Sequence, residues 1–385
     1  MVIKHRVGSS PTLGTLWARC ACSVQGRCVM VLGGTRSLSR AKSREVSPSA
    51  PMITQFPYLE VKGSHRDVGR AIGETFRNQI SSRISKRKEV IPDYDRYIEA
   101  TYPYFTATLT SFPQFVDEIT GVAQGAKISV TDYFFLNNPE VYPDIDDIDG
   151  STIHEHCTTV VSRNESGLIM GHTEDWFPQG IDDLFVLKAT VGEITFLCLD
   201  YASYIAGSSA SLNSFGIAQC INDLHANAEV GVPVYFAARA VLECKTREEV
   251  EELLCTHQWA SGFNHVVVKD NDIIDFECTA QAVNVDHVGA NTYAHTNHFL
   301  SPEMRKYESM RSESSVARYE CASRLVKPNL QFSGIKSILA DTSNKQFPIN
   351  KPDDTIAAVI IEPWKHQLSV CRGRPSEGTF VSYTL

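Results

Sequence analysis

Cys157-Thr158-Thr159-Val160-Val161-Ser162, followed by Leu168-Ile169-Met170-Gly171 and His172-Thr173-Glu174-Asp175-Trp176, decides how this chain is read. A polar, acid-rich approach ending in His154-Glu155-His156 turns at Cys157 into a β-branched run, the pattern of a buried strand. Arg163-Asn164-Glu165-Ser166-Gly167 then supplies turn residues, so Thr158–Ser162 and Leu168–Gly171 read as a hairpin. Antiparallel pairing brings His172, Glu174 and Asp175 back beside Cys157. A cysteine at the head of a strand, with a loop ending against it, is where an N-terminal nucleophile would sit. The expectation is a chain that cuts itself between His156 and Cys157.

Outward from that stretch, the folded sequence begins near Pro51. Tyr58–Gly63 reads as a strand, after which Ser64 caps a helix carrying Val68, Ile72 and Phe76 on one stripe. Gly69 and Gly73, four residues apart, leave room for a second element to approach closely. A charged helix runs through Lys88, another spans Pro113–Gly125 with Phe115, Ile119 and Val122 inward, and Asp132–Leu136 is an apolar helical segment. Asp144–Gly150 (DIDDIDG) has Ile148 at the third ligand position of a calcium loop and no closing glutamate, so it reads as a solvated acidic approach to residue 157.

Beyond the hairpin, strands are expected at 185–190, 194–199, 210–213 and 215–221. Two helices follow at 234–244 and 248–255, the second capped by Thr246. Strands resume at 265–269, 273–277 and 293–295. Helices at 314–325 and 334–339 precede closing strands at 356–361, 368–371 and 379–383. Strands, helices and strands again predict an α+β layered fold with two sheets and helices outside them.

Residues 1–50 differ in kind: eight Lys/Arg against one acid, Glu45. That is the composition of a mitochondrial transit peptide, of a disordered tail, or of a reading frame extended upstream of Met52. The expected organisation is therefore 1–50 disordered or targeting, 51–156 a helical α-chain region, and 157–385 a β-chain, with 51–385 as one structural unit.

With 43% hydrophobic and 21% charged residues the chain can bury a large core, and its net charge of −9 argues against nucleic-acid or anionic-membrane surfaces. Eleven cysteines are scattered singly with no C-x-x-C pair, which favours free thiols in a reducing compartment such as the cytoplasm.

A wider set of motifs resembles the isopenicillin-N acyltransferase family of N-terminal-nucleophile hydrolases, relatives of penicillin V acylase and bile-salt hydrolase. The residues that carry it are Gly63-Ser64 with Gly69-Arg70 and Gly73-Glu74, then Glu118–Ala123 with Leu136-Asn137, then Cys157-Thr158-Thr159 and Gly171–Trp176. Leu212-Asn213, Gly216-Ile217-Ala218, Asn222, His295–Phe299, Ser315 with Arg318, and Gly373-Arg374-Pro375 continue it in order. The resemblance implies a four-layer αββα sandwich and a self-processing cysteine amidohydrolase or acyltransferase acting on a non-peptide amide, an N-acyl or β-alanyl amine. No cofactor is implied. The partner implied is a small-molecule amide or a thioester acyl donor, with α and β fragments staying together after the cut.

The resemblance also implies roles. Asp175 matches the aspartate that contacts the freed amine, Asn297 the oxyanion asparagine, and Asn222 a second asparagine; Arg318 and Arg374 are both candidates for the site arginine. The chemistry is coherent on its own terms: a freed α-amine has a pKa of about 7.7–8.0, close enough to neutrality to serve a thiol as base. One departure is His156, where the family usually has a glycine whose bare backbone eases strain at the cut. Trp176, Phe177, Tyr201 and Tyr204 are candidates to line the substrate pocket. Two other readings stand beside this one: a metal hydrolase using His154 and His156 with His295 and His298, and a non-catalytic descendant that serves as a binding protein.

Overall fold

The computed structural model describes residues 2–4, 55–141 and 157–385, with only the backbone given for 2–4. The chain enters its larger unit through β1 (Val2–Lys4) and β2 (Tyr58–Gly63). Ser64 then caps α1 (His65–Thr75) reciprocally with Asp67: its hydroxyl accepts from the Asp67 N–H at 3.2 Å, and the Asp67 carboxylate accepts from the Ser64 N–H at 3.1 Å. Helices α2 (Arg77–Val90), α3 (Tyr94–Ala100), α4 (Tyr102–Ser111), α5 (Pro113–Ala126) and α6 (Val130–Leu136) follow.

Gly69 and Gly73 of α1 lie directly on α5. A methyl at either would run into a backbone carbonyl, that of Glu118 or Val122, and Gly121 and Gly125 of α5 meet the carbonyls of Arg66 and Arg70 in return. The two helices are therefore closer than any side chain at these four positions would allow.

From residue 157 the chain lays down β3 (Thr158–Asn164), β4 (Gly167–Asp175), β5 (Leu184–Val191), β6 (Ile194–Tyr201), β7 (Ala210–Asn213) and β8 (Ala218–Asp223). Helices α7 (Val234–Val241) and α8 (Arg247–Thr256) precede β9 (Phe263–Lys269), β10 (Asp272–Cys278), β11 (Ala282–Val288) and β12 (Thr292–His295). Helices α9 (Glu313–Leu325) and α10 (Phe332–Leu339) lead to β13 (Thr355–Glu362), β14 (Gln367–Arg372) and β15 (Phe380–Thr384).

Two sheets result: a nine-stranded one in the order β1-β11-β10-β9-β8-β7-β6-β5-β2, and a six-stranded one in the order β12-β3-β4-β13-β14-β15. Only β2 with β5 pairs in parallel among the described strands. Three apolar layers separate the elements. Ile72, Phe115, Ile119, Phe134 and Phe236 pack helices onto the nine-stranded sheet. Val161, Met170, Leu197, Leu199 and Val359 fill the space between the sheets. Val160, Ile169, Ile335 and Leu339 seat α9 and α10 on the outer face of the six-stranded sheet. The fold is the αββα sandwich.

The expected elements recur with shifted ends, and several are added. The β3–β4 turn is tighter than expected, closing on Glu165-Ser166 with Asn164 paired to Gly167. Helices α3 and α4 and strand β11 were not foreseen; in α4, the run Tyr-Phe-Thr-Ala-Thr-Leu-Thr has the look of a strand, and tertiary packing overrides it. Within the 1–50 segment, Val2–Lys4 pairs with the edge of β11, and the rest of that segment lies outside the described residues. The DIDDIDG loop and His154 and His156 lie outside the described residues. No helix among the described residues is long and apolar enough to cross a membrane.

Candidate active site at Cys157

β3 alternates its two faces, and the site follows from that. Thr158 and Val160 point toward α9 and α10, while Thr159 and Val161 point between the sheets. Cys157, one residue before the strand, sits at the end of this layer with its backbone in the left-handed region, φ 51°, a conformation that strains a residue with a Cβ. It is buried. Burial pushes its thiol pKa well up, with the charges of Glu174 and Asp175 adding to that; the Asp175 N–H, which donates to the sulfur, and Arg318 pull the other way. A thiol in this state stays protonated at neutral pH and needs a base to attack.

Arg318, fully buried on α9, ties the site together. Its Nη1 donates to the Cys157 carbonyl at 2.6 Å and to Thr158 Oγ1 at 2.9 Å, and its Nη2 donates to Asn297 Oδ1 at 2.9 Å. Asn297 is placed by its own N–H, which donates to Ser315 Oγ at 2.8 Å, and one of its amide hydrogens reaches the Asp223 carbonyl at 3.1 Å. Asp175, at the end of β4, accepts from Thr355 Oγ1 at 2.7 Å and lies 3.9 Å from Lys351 Nζ. Burial raises the Asp175 pKa, against the pull of Lys351 and Arg318.

Cys157, Asp175, Asn297 and Arg318 thus come together. Asn222 takes a neighbouring position: it exchanges hydrogen bonds with Thr159 at 3.2–3.3 Å and donates to Asn264 Oδ1 at 2.8 Å, so it braces the strand behind the nucleophile. The expectation for Arg374 is not met. It lies past β14, after a turn at Gly373 with φ 73°, and donates to Glu377 at 2.5 Å and to Asn350 at 3.3 Å. Of the two arginines, Arg318 is the one at the site.

A cavity opens from Cys157 between the sheets, lined by Glu174, Trp176, Tyr201, Tyr204, Asp223, Tyr235 and Phe263 among others. Trp176, Tyr201 and Tyr204 were foreseen. Phe177 stacks edge-on against Trp176 at 5.4 Å and lies outside the lining. Tyr235 and Phe263 were missed, since nothing in the local sequence marks a ring on α7 or β9 as facing residue 157.

Among the described residues, two clusters have metal-ligand character. Cys157, His172 and Glu174 hold ligand-type atoms within 4.8 Å of one another, a donor set of the kind zinc accepts. Asp275, Glu277 and His295 form the second, although Glu277 is already committed to the N–H groups of Leu300 and Ser301. His295 and His298, offered as a pair by the sequence, point elsewhere: His295 bonds the Thr296 carbonyl and Glu277, and His298 bonds Ser315 Oγ at 2.8 Å. Burial depresses the His298 pKa to about 3, which leaves that ring neutral.

Residues 162–377 match the family model described as acyl-coenzyme A:6-aminopenicillanic acid acyl-transferase. The chain belongs to that family. Among curated relatives within reach of it, the beta-alanyl-dopamine/carcinine hydrolase of Drosophila melanogaster is 26% identical over 225 residues, 53% of this chain and 58% of the relative. The acyl-coenzyme A:6-aminopenicillanic-acid-acyltransferase 40 kDa form of Emericella nidulans is 24% identical over 204 residues, 51% of this chain and 55% of the relative. The chain spans about half the length of the curated relatives it matches. One relative is named as a hydrolase and the other as an acyltransferase.

Proposed function

We propose that this protein is a self-processing cysteine amidohydrolase or acyltransferase that works through a Cys157 thioester. The observation that carries the reading is the convergence on Cys157, beside a cavity, of the Asp175 N–H on its sulfur and Arg318 on its carbonyl. In maturation the Cys157 sulfur attacks the carbonyl carbon of His156, the peptide C–N bond breaks, and the acyl group moves to sulfur. The departing nitrogen takes up the proton released by the thiol and becomes the free α-amine of Cys157. Water then cleaves the thioester, leaving a carboxylate at His156, a free thiol and a new α-amine at Cys157. The α and β fragments, sharing one core, stay associated.

In turnover that α-amine takes the thiol proton, and the thiolate attacks the substrate amide carbon. Asn297 donates its second amide hydrogen to the oxyanion, a contribution worth about 3 kcal/mol by comparison with other such donors. The α-ammonium returns its proton to the leaving amine as the C–N bond breaks. Asp175 holds the amine in place, and Arg318 and Asn222 orient the nucleophile's strand as positioning residues. Water or a second amine then accepts the acyl group. Substrates drawn from the relatives' names are β-alanyl amines and N-acyl amines.

The test is N-terminal sequencing of the mature protein, then a screen of N-acyl and β-alanyl amines with and without chelator. A chain beginning at residue 157 and chelator-resistant amide turnover are expected. A mature chain beginning elsewhere, or activity lost to chelator, overturns the reading.

A further inference from the structure

Glu174 is a buried carboxylate in the wall of the Cys157 cavity, and its oxygens are met by neutral hydroxyls. Tyr201 OH donates to Oε1 at 2.8 Å and the Ser209 hydroxyl donates to Oε2. His172 Nε2 lies 3.3 Å from the same Oε2 while its Nδ1 is engaged by Thr159 Oγ1 at 2.9 Å. Among the described residues no lysine or arginine pairs with Glu174; the imidazole of His172 is its one ion-pair contact, a charged one only when that ring is protonated. Other buried carboxylates differ in their partners: Asp175 faces Lys351 and Glu118 accepts three hydrogen bonds from Arg239, whereas Asp200 and Glu140 are met by hydroxyl or N–H donors and lie outside the lining of this cavity. A buried carboxylate is costly when no positive charge joins it.

The cavity around Glu174 supplies the rest of a cation site. Tyr201, Tyr204, Tyr235 and Phe263 form a continuous run of rings, with centroids 5.4, 4.8 and 6.1 Å apart in that order. Ring faces attract cations, more strongly in a desolvated setting. Asp223 adds a second acid to the lining, and among the described residues no Lys, Arg or His is part of it.

We propose that this cavity is a subsite for an organic ammonium, with Glu174 as its counter-ion, and that it selects acyl groups bearing an ammonium a short chain away from the scissile carbonyl. The short chain follows from position: the Cys157 sulfur and a Glu174 oxygen lie within 4.8 Å, so the reacting carbonyl and the cation are neighbours. A β-alanyl group, with two methylenes between them, has that form. The inference rests on the proposed thioester chemistry for its meaning but not for its measurement.

The experiment is a ligand-observed NMR titration of purified full-length protein with β-alaninamide and with butyramide, its neutral isostere. β-Alaninamide should bind at least about tenfold more tightly, the size of one charge-assisted contact. Glu174→Gln should bring the two ligands together. Equal binding by wild type, failure of either ligand to bind, or a preference that survives in Glu174→Gln overturns the subsite. If Glu174 instead balances the α-ammonium of Cys157, wild type shows no preference, which also overturns it. Intact mass of the same sample reports separately whether the chain begins at residue 157, so failure of processing and failure of the subsite are read independently.

Discussion

The guanidinium of Arg318 on α9 donates to the carbonyl oxygen of Cys157 at 2.6 Å, across 161 positions of sequence. The same group holds Thr158 and Asn297, so one side chain fixes the Cys157 backbone and the Asn297 amide relative to each other. Arg318→Met removes these three hydrogen bonds together with the one from its Nε to Ser314 Oγ. It should slow both self-cleavage and turnover by about 100-fold, the scale expected when reacting groups lose orientation. A gel time course and a steady-state assay check this, and Arg374→Met, which touches neither group, should leave both rates near wild type.

Cys157→Ala should stay a single band near 42.7 kDa on a denaturing gel, where wild type gives two fragments. A wild-type chain still intact after long incubation removes the self-cleavage step. The residual chain would then keep its fold, because the three core layers do not depend on the cut.

Glu140 titrates where it can be seen. Burial pushes its carboxyl from 4.5 up to about 7, against the pull of the Val234 N–H and Ser261 Oγ, which donate to it at 3.0 Å. A raised carboxyl favours the protonated folded state, so its contribution is intact below about pH 4.5 and is lost as pH rises through 7. Glu140→Gln should therefore match wild type near pH 4.5 and exceed it at pH 8 by up to about 3 kcal/mol. Urea midpoints at the two pH values measure the difference.

Gly69→Ala forces a methyl against the Glu118 carbonyl in the α1–α5 contact, where neither backbone can step aside. A loss of about 2–3 kcal/mol in unfolding free energy is expected. Gly289→Ala meets nothing and should change stability by less than about 0.5 kcal/mol.

The Glu118–Arg239 pair is fully buried, its guanidinium lying 4.8 and 4.7 Å from the Phe115 and Phe196 ring centroids. Glu118→Gln leaves the Arg239 charge without its main partner and should cost about 3 kcal/mol or more, measured by thermal unfolding.

The sequence alone determined the local pieces. Ser64 marks the start of α1, the β-branched run after Cys157 makes a strand, and the turn residues of 163–167 fold β4 back so that Glu174 and Asp175 reach Cys157 within eighteen residues. Capping, periodicity and hairpin pairing act over short stretches of chain and can be read there. Tertiary structure decided the rest. It chose Arg318 over Arg374, turned Asn222 onto Thr159, and gathered Tyr201, Tyr204, Tyr235 and Phe263 from three separate segments into one wall. Those outcomes depend on how α9 seats on one sheet and how the two sheets face each other. That packing is set by many buried contacts acting together, and no short pattern around any one of these residues records it.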